Sequence, residues 1–110
     1  MNLTLHTFEE NKQTTIRLQG EIDAYTAPKL KDALMPLVKK PGQKAVVDLQ
    51  GVTYMDSTGL GVFVGALKTA RKYDSRMSLV NLQKRIYRLF KITGLDQVID
   101  IDVPVKGGNE

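Results

Sequence analysis

Apolar and polar residues alternate along residues 15–22 in the way that is typical of a strand with one face in water. Ile16, Leu18 and Ile22 fall on one face of this segment, and charged or amide side chains fall on the other. Residues 3–8 precede the segment across a short polar linker. The pattern therefore predicts two antiparallel strands joined as a hairpin.

The hydrophobic spacing changes to that of a helix from Thr26 onward. Leu30 and Leu34 belong to the apolar stripe of this helix, and Thr26 is the residue expected to cap its start. Pro36 lies inside the pattern and has no backbone N–H group, so we expect the helix to kink or loosen there. Residues 39–42 are expected to end the helix because they include proline and glycine.

Two further helices are predicted by apolar residues at helical spacing, which is i, i+3, i+4 and i+7 in the first and i, i+4, i+7 and i+8 in the second. The first is expected to end near Tyr73. The second is expected to be capped by Asn81 and to close at Gly94 in a left-handed conformation. The two apolar stripes consist of Leu60, Phe63, Val64 and Leu67, and of Leu82, Ile86, Leu89 and Phe90.

Short apolar runs at residues 44–49 and 77–80 predict two further strands. Their separation is that of a strand-helix-strand unit, so we expect these strands to be parallel. Alternation resumes over residues 98–103. The fold class is therefore α/β, an open mixed β-sheet covered by amphipathic helices, with residues 1–110 in a single domain. Residues 104–110 are expected to form a frayed tail.

The composition narrows the classes of function that the chain can perform. A chain of 110 residues has room for one core, which excludes a two-domain enzyme. It contains no cysteine, which excludes a disulfide framework, a thiolate nucleophile and a cysteine-based metal site. A catalytic triad or a histidine metal site would have to be built on His6 alone, so we expect no catalytic residue, no metal and no cofactor.

The apolar runs are too short for a membrane protein. None approaches the roughly 18 to 20 residues of a membrane span, and the N-terminus lacks the basic and apolar regions of a signal peptide. The absence of cysteine also suits a reducing compartment. We therefore expect a cytoplasmic protein that does not bind membranes.

Residues 50–61, between the predicted strand and the second helix, carry the most distinctive chemistry. The loops beyond the carboxyl ends of parallel strands form the functional edge of an α/β sheet. A helix that begins at this edge presents free N–H groups and the positive end of its dipole. Ser57 lies at such a helix start, and three interpretations of the segment are open.

The first two interpretations give the serine no chemical role. In one, Asp56 or Ser57 is only a helix cap, and glycines let the first turn pack closely on its neighbours. In the other, Gly59, Gly61 and Gly65 belong to a nucleotide-binding pattern, and the chain is a small nucleotide-binding domain that uses this helix start. That pattern is incomplete, because its first glycine falls inside the helix and the chain has no room for a second nucleotide half.

In the third interpretation Ser57 is a phosphate acceptor. A hydroxyl at a helix start is exposed, and the helix dipole and free N–H groups would hold a phosphate there. Phosphorylation would add about −1.5 to −2 charges and three acceptor oxygens to any surface that binds a partner. The domain would tolerate this change and a complex covering Ser57 would not, so the serine would act as a switch.

Three motifs carry a resemblance to a known family and together cover nearly the whole chain. They are GEIDAYTAP at residues 20–28, YMDSTGLGVFVG at residues 54–65 and RLFKITGL at residues 88–95. With these motifs the chain resembles the STAS-domain anti-sigma factor antagonists, and most closely those of the general stress response in Gram-positive bacteria.

The resemblance implies a small α/β domain without enzymatic activity that binds an anti-sigma factor and thereby releases the sigma factor. In this family the anti-sigma factor is itself a serine kinase with an ATP-binding fold. It phosphorylates the serine of the Asp-Ser-Thr-Gly motif, which is Ser57 here, and the modified antagonist loses its partner until a PP2C-type phosphatase restores it. Thr58 is a neighbouring hydroxyl and a candidate minor acceptor.

The resemblance also implies a partner-binding face around the serine. Glu21, Asp23 and the turn of Tyr25 and Thr26 match the family segment that flanks it. By residue type alone, Glu21 and Asp23 also fit strand-end solvation or helix capping. Tyr25 and Leu60 are candidate apolar anchors, and Leu60 also fits the core stripe. The expected partner-binding residues are Glu21, Asp23, Tyr25, Thr26, Asp56, Ser57, Thr58, Gly59, Leu60 and Gly61.

Basic side chains are concentrated in residues 68–91, where eight lysines and arginines accompany one acidic residue, Asp74. No recognition-helix turn or stacking platform accompanies them, so we expect a solvated face and no binding of nucleic acid. An electrostatic contribution to meeting an acidic partner surface remains a hypothesis at this point.

Overall fold

Strands and helices alternate along the chain after an N-terminal hairpin. The structure is a computed structural model that describes residues 2–102. These residues form a five-stranded sheet in the order β1-β2-β3-β4-β5, with three α-helices and one short 3-10 turn. The strands are β1 (Leu3–Glu10), β2 (Gln13–Ile22), β3 (Lys44–Met55), β4 (Arg76–Val80) and β5 (Asp100–Ile101). The helices are α1 (Ala27–Val38), α2 (Ser57–Lys72) and α3 (Lys84–Ile92), and the 3-10 turn is Leu95–Gln97.

The sheet is mixed, as the alternation of apolar residues predicts. β1 and β2 are antiparallel neighbours, whereas β2, β3, β4 and β5 pair in parallel. Three crossovers in succession therefore join adjacent parallel strands in the same direction across the sheet. Because such crossovers are right-handed, they bring all three helices to one face. The α/β class and the parallel pairing of β3 with β4 are confirmed.

The core lies between this helical layer and the sheet. α1 packs along α2, and α2 reaches α3 through an edge-to-face contact in which the ring centroids of Phe63 and Phe90 are 5.9 Å apart. Both rings are fully buried. Phe63 and Phe90 thus belong to the core, as their stripes predict. The prediction for Val64 in the α2 stripe is wrong, because Val62 and Ala66 are buried while Val64 is only partly buried.

β3 is longer than its apolar run predicts, because it continues to Met55 rather than ending near residue 49. Its pairing with β2 continues through two irregularities, between Arg17 and Gln19 and between Gly20 and Glu21. Gly20 has a φ of 122°, and a Cβ atom there would lie 2.1 Å from the carbonyl oxygen of Asn2. Only glycine fits this close approach of β2 to the residue before β1. The irregular pairing of β2 with β3 continues to the last residues of both strands.

α1 ends at Val38, directly before residues 39–42, which the sequence predicts to end the helix. The helix continues through Pro36, and its last turn tightens so that the Lys39 N–H group donates to the Pro36 carbonyl at 3.4 Å. Thr26 occupies the position before the first turn, but its hydroxyl makes no capping hydrogen bond to α1. The prediction of a side-chain cap at Thr26 is therefore wrong.

The C-terminal third differs most from the sequence pattern. Asn81 is not the cap of α3, because its φ of 60° places it in a left-handed turn and Gln83 precedes the helix instead. Gly94 has the predicted left-handed conformation, with a φ of 79°. The strand predicted over residues 98–103 shortens to β5, because the N–H groups of Val98 and Ile99 donate to the Leu95 carbonyl of the 3-10 turn. Val103 and the predicted tail, residues 104–110, lie outside the described residues.

Candidate functional site

The ends of β2 and β3 lie side by side and carry the two loops that the sequence assigns to the site. Glu21 pairs with Tyr54 and Ile22 pairs with Met55 in parallel register. The Asp56 N–H group donates to the Ile22 carbonyl at 3.2 Å, so the pairing continues one residue beyond the strands. The loops that follow β2 and β3 therefore share one edge of the sheet, as predicted.

Asp56 is the cap of α2, which decides between the two candidates that the sequence left open. Its Oδ1 atom accepts hydrogen bonds from the N–H groups of Thr58 at 3.0 Å and Gly59 at 3.2 Å. Ser57 is the first residue of the helix and is exposed. Within residues 2–102 its hydroxyl has no hydrogen-bond partner. The hydroxyl therefore makes no hydrogen bond that stabilises the described part of the fold.

The same cap changes the electrostatics expected at the helix start. The Asp56 carboxylate already accepts the Thr58 and Gly59 amides, which leaves the Ser57 amide as the open donor of the first turn. The unmodified protein therefore offers fewer free N–H groups at this helix start than the sequence predicts. A phosphate on Ser57 would stand beside a carboxylate of the same sign and would remain largely in solvent.

Asp23 and Thr26 are buried and bond to each other within the loop after β2. Asp23 Oδ1 accepts the N–H groups of Tyr25 at 2.9 Å and Thr26 at 3.0 Å. The Thr26 hydroxyl accepts the Asp23 N–H group at 2.9 Å and donates to the Glu21 carbonyl at 2.8 Å. Their relative exposures are both 6%, so their side chains can shape a partner-binding face only through the loop. We call this pair the Asp23–Thr26 lock.

Tyr25 lies in this loop, and 87% of it is exposed. Tyr54, beside Glu21 on the neighbouring strand, is also exposed at 45%, and Glu21 itself is half-buried. Tyr54 is not among the partner-binding residues that the sequence predicts. Its position directly before the Met-Asp-Ser segment could have indicated that Tyr54 belongs to the site. The apolar pattern instead predicts that the strand ends near residue 49, several residues before Tyr54.

The glycines and Leu60 divide into structural and exposed positions. A Cβ atom on Gly59 would lie 2.7 Å from Ile22 Cγ2 and 2.8 Å from Met55 Cγ. Gly59 therefore allows the first turn of α2 to touch the ends of β2 and β3. Leu60 is half-buried against the core, whereas Gly61 is exposed with nothing near its missing Cβ.

A groove extends from the site along the junction of α1 and α2. Thr58 and Gly61 line it at α2, Lys31 and Lys39 line it from α1, and its volume is about 510 Å³. The groove is therefore bordered by positive charge on one side and by small side chains on the other. It joins the exposed face of Thr58 to a surface that suits an acidic partner.

The structure gives no support to the nucleotide-binding alternative. A glycine that lets backbone approach a phosphate must face the ligand, but Gly59 is buried against Ile22 and Met55. Over residues 2–102, no group of three or more histidine, aspartate or glutamate side chains is placed to hold a metal ion. In that same part of the chain, no helix combines the length and the apolar character that crossing a membrane requires.

Comparison with known proteins identifies relatives over almost the entire chain. The model of the STAS domain family matches residues 5–106. The anti-sigma-B factor antagonist of Listeria monocytogenes is 49% identical over 102 residues, covering 92% of this chain and 90% of that protein. The anti-sigma-B factor antagonist of Bacillus subtilis is 43% identical over 108 residues, covering 98% of each.

The fold has solved counterparts as well. The crystal structure of an anti-sigma factor antagonist from Mycobacterium paratuberculosis superposes with a TM-score of 0.83 at 24% identity. The match covers 94% of this chain and 87% of that one. Helices and strands in this arrangement therefore recur in a distant protein.

Two glycines of α2 provide a test of the contact at the helix start. We expect Gly59→Ala to destabilise the fold by about 1–3 kcal/mol, because the added methyl group overlaps Ile22 and Met55. Gly61→Ala is the matched control. It places the same methyl group in open space and is expected to stabilise the protein by about 0.5–1 kcal/mol. Urea unfolding of both variants measures the difference, and equal stabilisation by the two would contradict the close approach.

Proposed function

Because the chain belongs to the STAS domain family, we propose that it is an anti-sigma factor antagonist whose hold on its partner is controlled by phosphate on Ser57. It acts by binding and not by catalysis. One observation carries the proposal: Ser57 is exposed at the start of α2 while its neighbour Asp56 makes the capping bonds. A charge added to Ser57 therefore alters the surface without removing a structural contact.

The unmodified surface suits association with a protein partner. Tyr25 and Tyr54 offer exposed aromatic area at the ends of β2 and β3, and aromatic residues are enriched where protein interfaces are most buried. The Asp23–Thr26 lock holds the loop that carries Tyr25, so little ordering is needed on binding. The basic border of the groove between α1 and α2 adds attraction for an acidic surface.

Phosphorylation would reverse this balance. A phosphate on Ser57 would carry about −1.5 to −2 charges into the middle of the contact and would add to the charge of Asp56. If the partner offers no matching cation, covering that charge costs about 2–5 kcal/mol, which corresponds to roughly 30-fold to several thousand-fold in affinity. The complex would dissociate while the domain stays folded.

The proposal also includes the enzymes that add the phosphate to Ser57 and remove it. We propose that the anti-sigma factor is a serine kinase that phosphorylates Ser57 and that a PP2C-type phosphatase restores it. The exposed hydroxyl suits both steps, because neither enzyme would have to open the fold to reach it. Thr58 is also exposed and is a candidate minor acceptor, although its backbone amide is held by Asp56. The similarity to anti-sigma-B factor antagonists favours a general-stress circuit.

Substitutions of Ser57 test the switch directly. We expect Ser57→Ala to bind the anti-sigma factor as tightly as the unmodified protein and to accept no phosphate from it at this position. Ser57→Asp is expected to bind at least 30-fold more weakly because it places a fixed charge in the contact. Isothermal titration measures the affinities, and intact-mass analysis after incubation with ATP maps the modification.

Gln97→Glu is a suitable control for Ser57→Asp, because it adds a charge on the exposed 3-10 turn away from the site. Its affinity should equal that of the unmodified protein. The switch would be refuted if the phosphorylated protein and Ser57→Asp bound as tightly as this control.

The aromatic anchors are tested by comparing two exposed aromatic residues. Tyr25→Ala is expected to change the free energy of unfolding by less than about 0.5 kcal/mol, because the ring is exposed. It is nevertheless expected to weaken binding of the anti-sigma factor at least tenfold, as loss of an interface aromatic does. Phe8→Ala removes a partly exposed ring on β1, beside the start of β2 and away from the site, and should leave the affinity unchanged. Equal affinities for the two variants would exclude Tyr25 from the interface.

A further inference from the structure

The edge of the sheet opposite Ser57 is built from three turns that are bonded to one another. The Lys44 N–H group donates to the Lys12 carbonyl at 3.0 Å, which joins β3 to the turn of the hairpin. Gly42 donates to the Asp74 carbonyl at 2.9 Å, and Arg76 donates to the Gln43 carbonyl at 3.0 Å. These backbone bonds hold the starts of β2, β3 and β4 in a fixed arrangement.

Basic side chains project from this arrangement on the face away from the helices. Lys44 pairs with Gln13 on one side and with Arg76 on the other, so the three residues form a row across β2, β3 and β4. The next residues along the two strands, Ala45 and Met77, enter the core under the helices. Because side chains alternate along a strand, Lys44 and Arg76 point to the opposite face.

The row opens onto a cavity of about 420 Å³. Lys12 lines it from the hairpin turn, together with Lys44 and Arg76. Over residues 2–102, none of these three cations forms an ion pair or a side-chain hydrogen bond. The cavity therefore collects positive charge that the described part of the protein leaves uncompensated.

Acidic side chains nearby do not neutralise this charge. Among the described residues that line the cavity, Glu10 is the one carboxylate. Glu9, its neighbour on β1, is paired with Lys40 at 3.6 Å. Three cations with a single acidic neighbour repel one another, and an anion bound between them would relieve that repulsion.

We propose that this cavity binds a small anion that carries two phosphate groups. Its volume lies within the range of about 300–1,000 Å³ that is usual for small-molecule sites. Lysine and arginine are the side chains that bind phosphate groups, arginine through paired N–H donors. Lys44 and Arg76 lie on neighbouring strands about 4.8 Å apart, so each can hold a different phosphate group while Lys12 approaches from the turn.

The lining also indicates which part of a ligand is recognised. None of the described residues that line the cavity is aromatic, so it offers no surface on which a nucleobase could stack. Recognition would therefore rest on the phosphate groups themselves. The site lies at the opposite end of the strands from Ser57, and it does not depend on the proposed switch.

Titration of the full chain with inorganic pyrophosphate at about 0.15 M ionic strength tests the proposal, since surface charges are partly screened under that condition. We expect Lys44→Gln and Arg76→Gln each to weaken binding about tenfold, as loss of a charge-assisted hydrogen bond does. Arg85→Gln is the matched control, because it removes an exposed cation on α3 outside the cavity. Its affinity should stay within about twofold of the original protein, in keeping with a charge that makes no direct contact.

A third variant and NMR spectra separate loss of the binding site from loss of the fold. Lys12→Gln changes only an exposed turn residue and gives the same test if either strand variant unfolds in urea earlier than the original protein. Amide shifts of residues 11–13, 44 and 76 in NMR spectra should move on addition of pyrophosphate and not on addition of equal ionic strength as NaCl.

Several outcomes would overturn the proposal. They are undetectable pyrophosphate binding at millimolar concentration, an equal loss of affinity in Arg85→Gln, and binding of short duplex DNA without binding of pyrophosphate. Equal affinity for orthophosphate would overturn the requirement for two phosphate groups. Since Ser57→Ala should bind pyrophosphate normally, failure here and failure of the proposed switch are distinguishable.

Discussion

The contact between the first turn of α2 and the ends of β2 and β3 is the constraint on which the rest of the structure depends. It requires a residue without a side chain at Gly59, because Ile22 and Met55 occupy the space that a Cβ atom would take. The contact fixes where α2 begins, and Asp56 then caps the helix and bonds back to β2. The exposed position of Ser57 follows from this geometry and not from any property of serine itself.

The two edges of the sheet divide the chemistry of the molecule between them. The carboxyl ends of β2 and β3 present tyrosines, a free hydroxyl and the capping carboxylate, which suit contact with a protein. The amino ends of β3 and β4 present cations around a cavity of small-molecule size, and these cations have no ion-pair partner within residues 2–102. Parallel pairing separates these groups by the full length of the strands, so a ligand at one edge need not meet a partner at the other.

Much of the fold and part of the site can be predicted from the sequence, because the determining patterns are local. Alternation over residues 15–22 and the spacing of the stripe that includes Phe63 reflect which side chains must be buried. Gly94 was predictable because few other residues adopt a left-handed helix end. The placement of Ser57 at a helix start followed from the same spacing.

The remaining features depend on contacts that no local pattern contains. Asp56 and Ser57 are both good capping residues, and the contact of Gly59 with Ile22 and Met55, which no local pattern contains, fixes where the helix begins. The burial of Asp23 depends on a hydroxyl three residues later turning back towards β2, which residue type alone does not reveal. Tyr54 was missed because β3 continues past its apolar run through bulges with β2.

The cap of α2 also bears on how a phosphate on Ser57 would affect the stability of the domain. Since Asp56 already accepts the Thr58 and Gly59 amides, a phosphate on Ser57 would form few new bonds within the domain and would break none of those that hold α2. On the proposed function, the two forms would therefore have similar free energies of unfolding. On the proposed function, the ratio of the two forms records only the competing rates of the enzymes that act on them, and the protein itself keeps no preference for either.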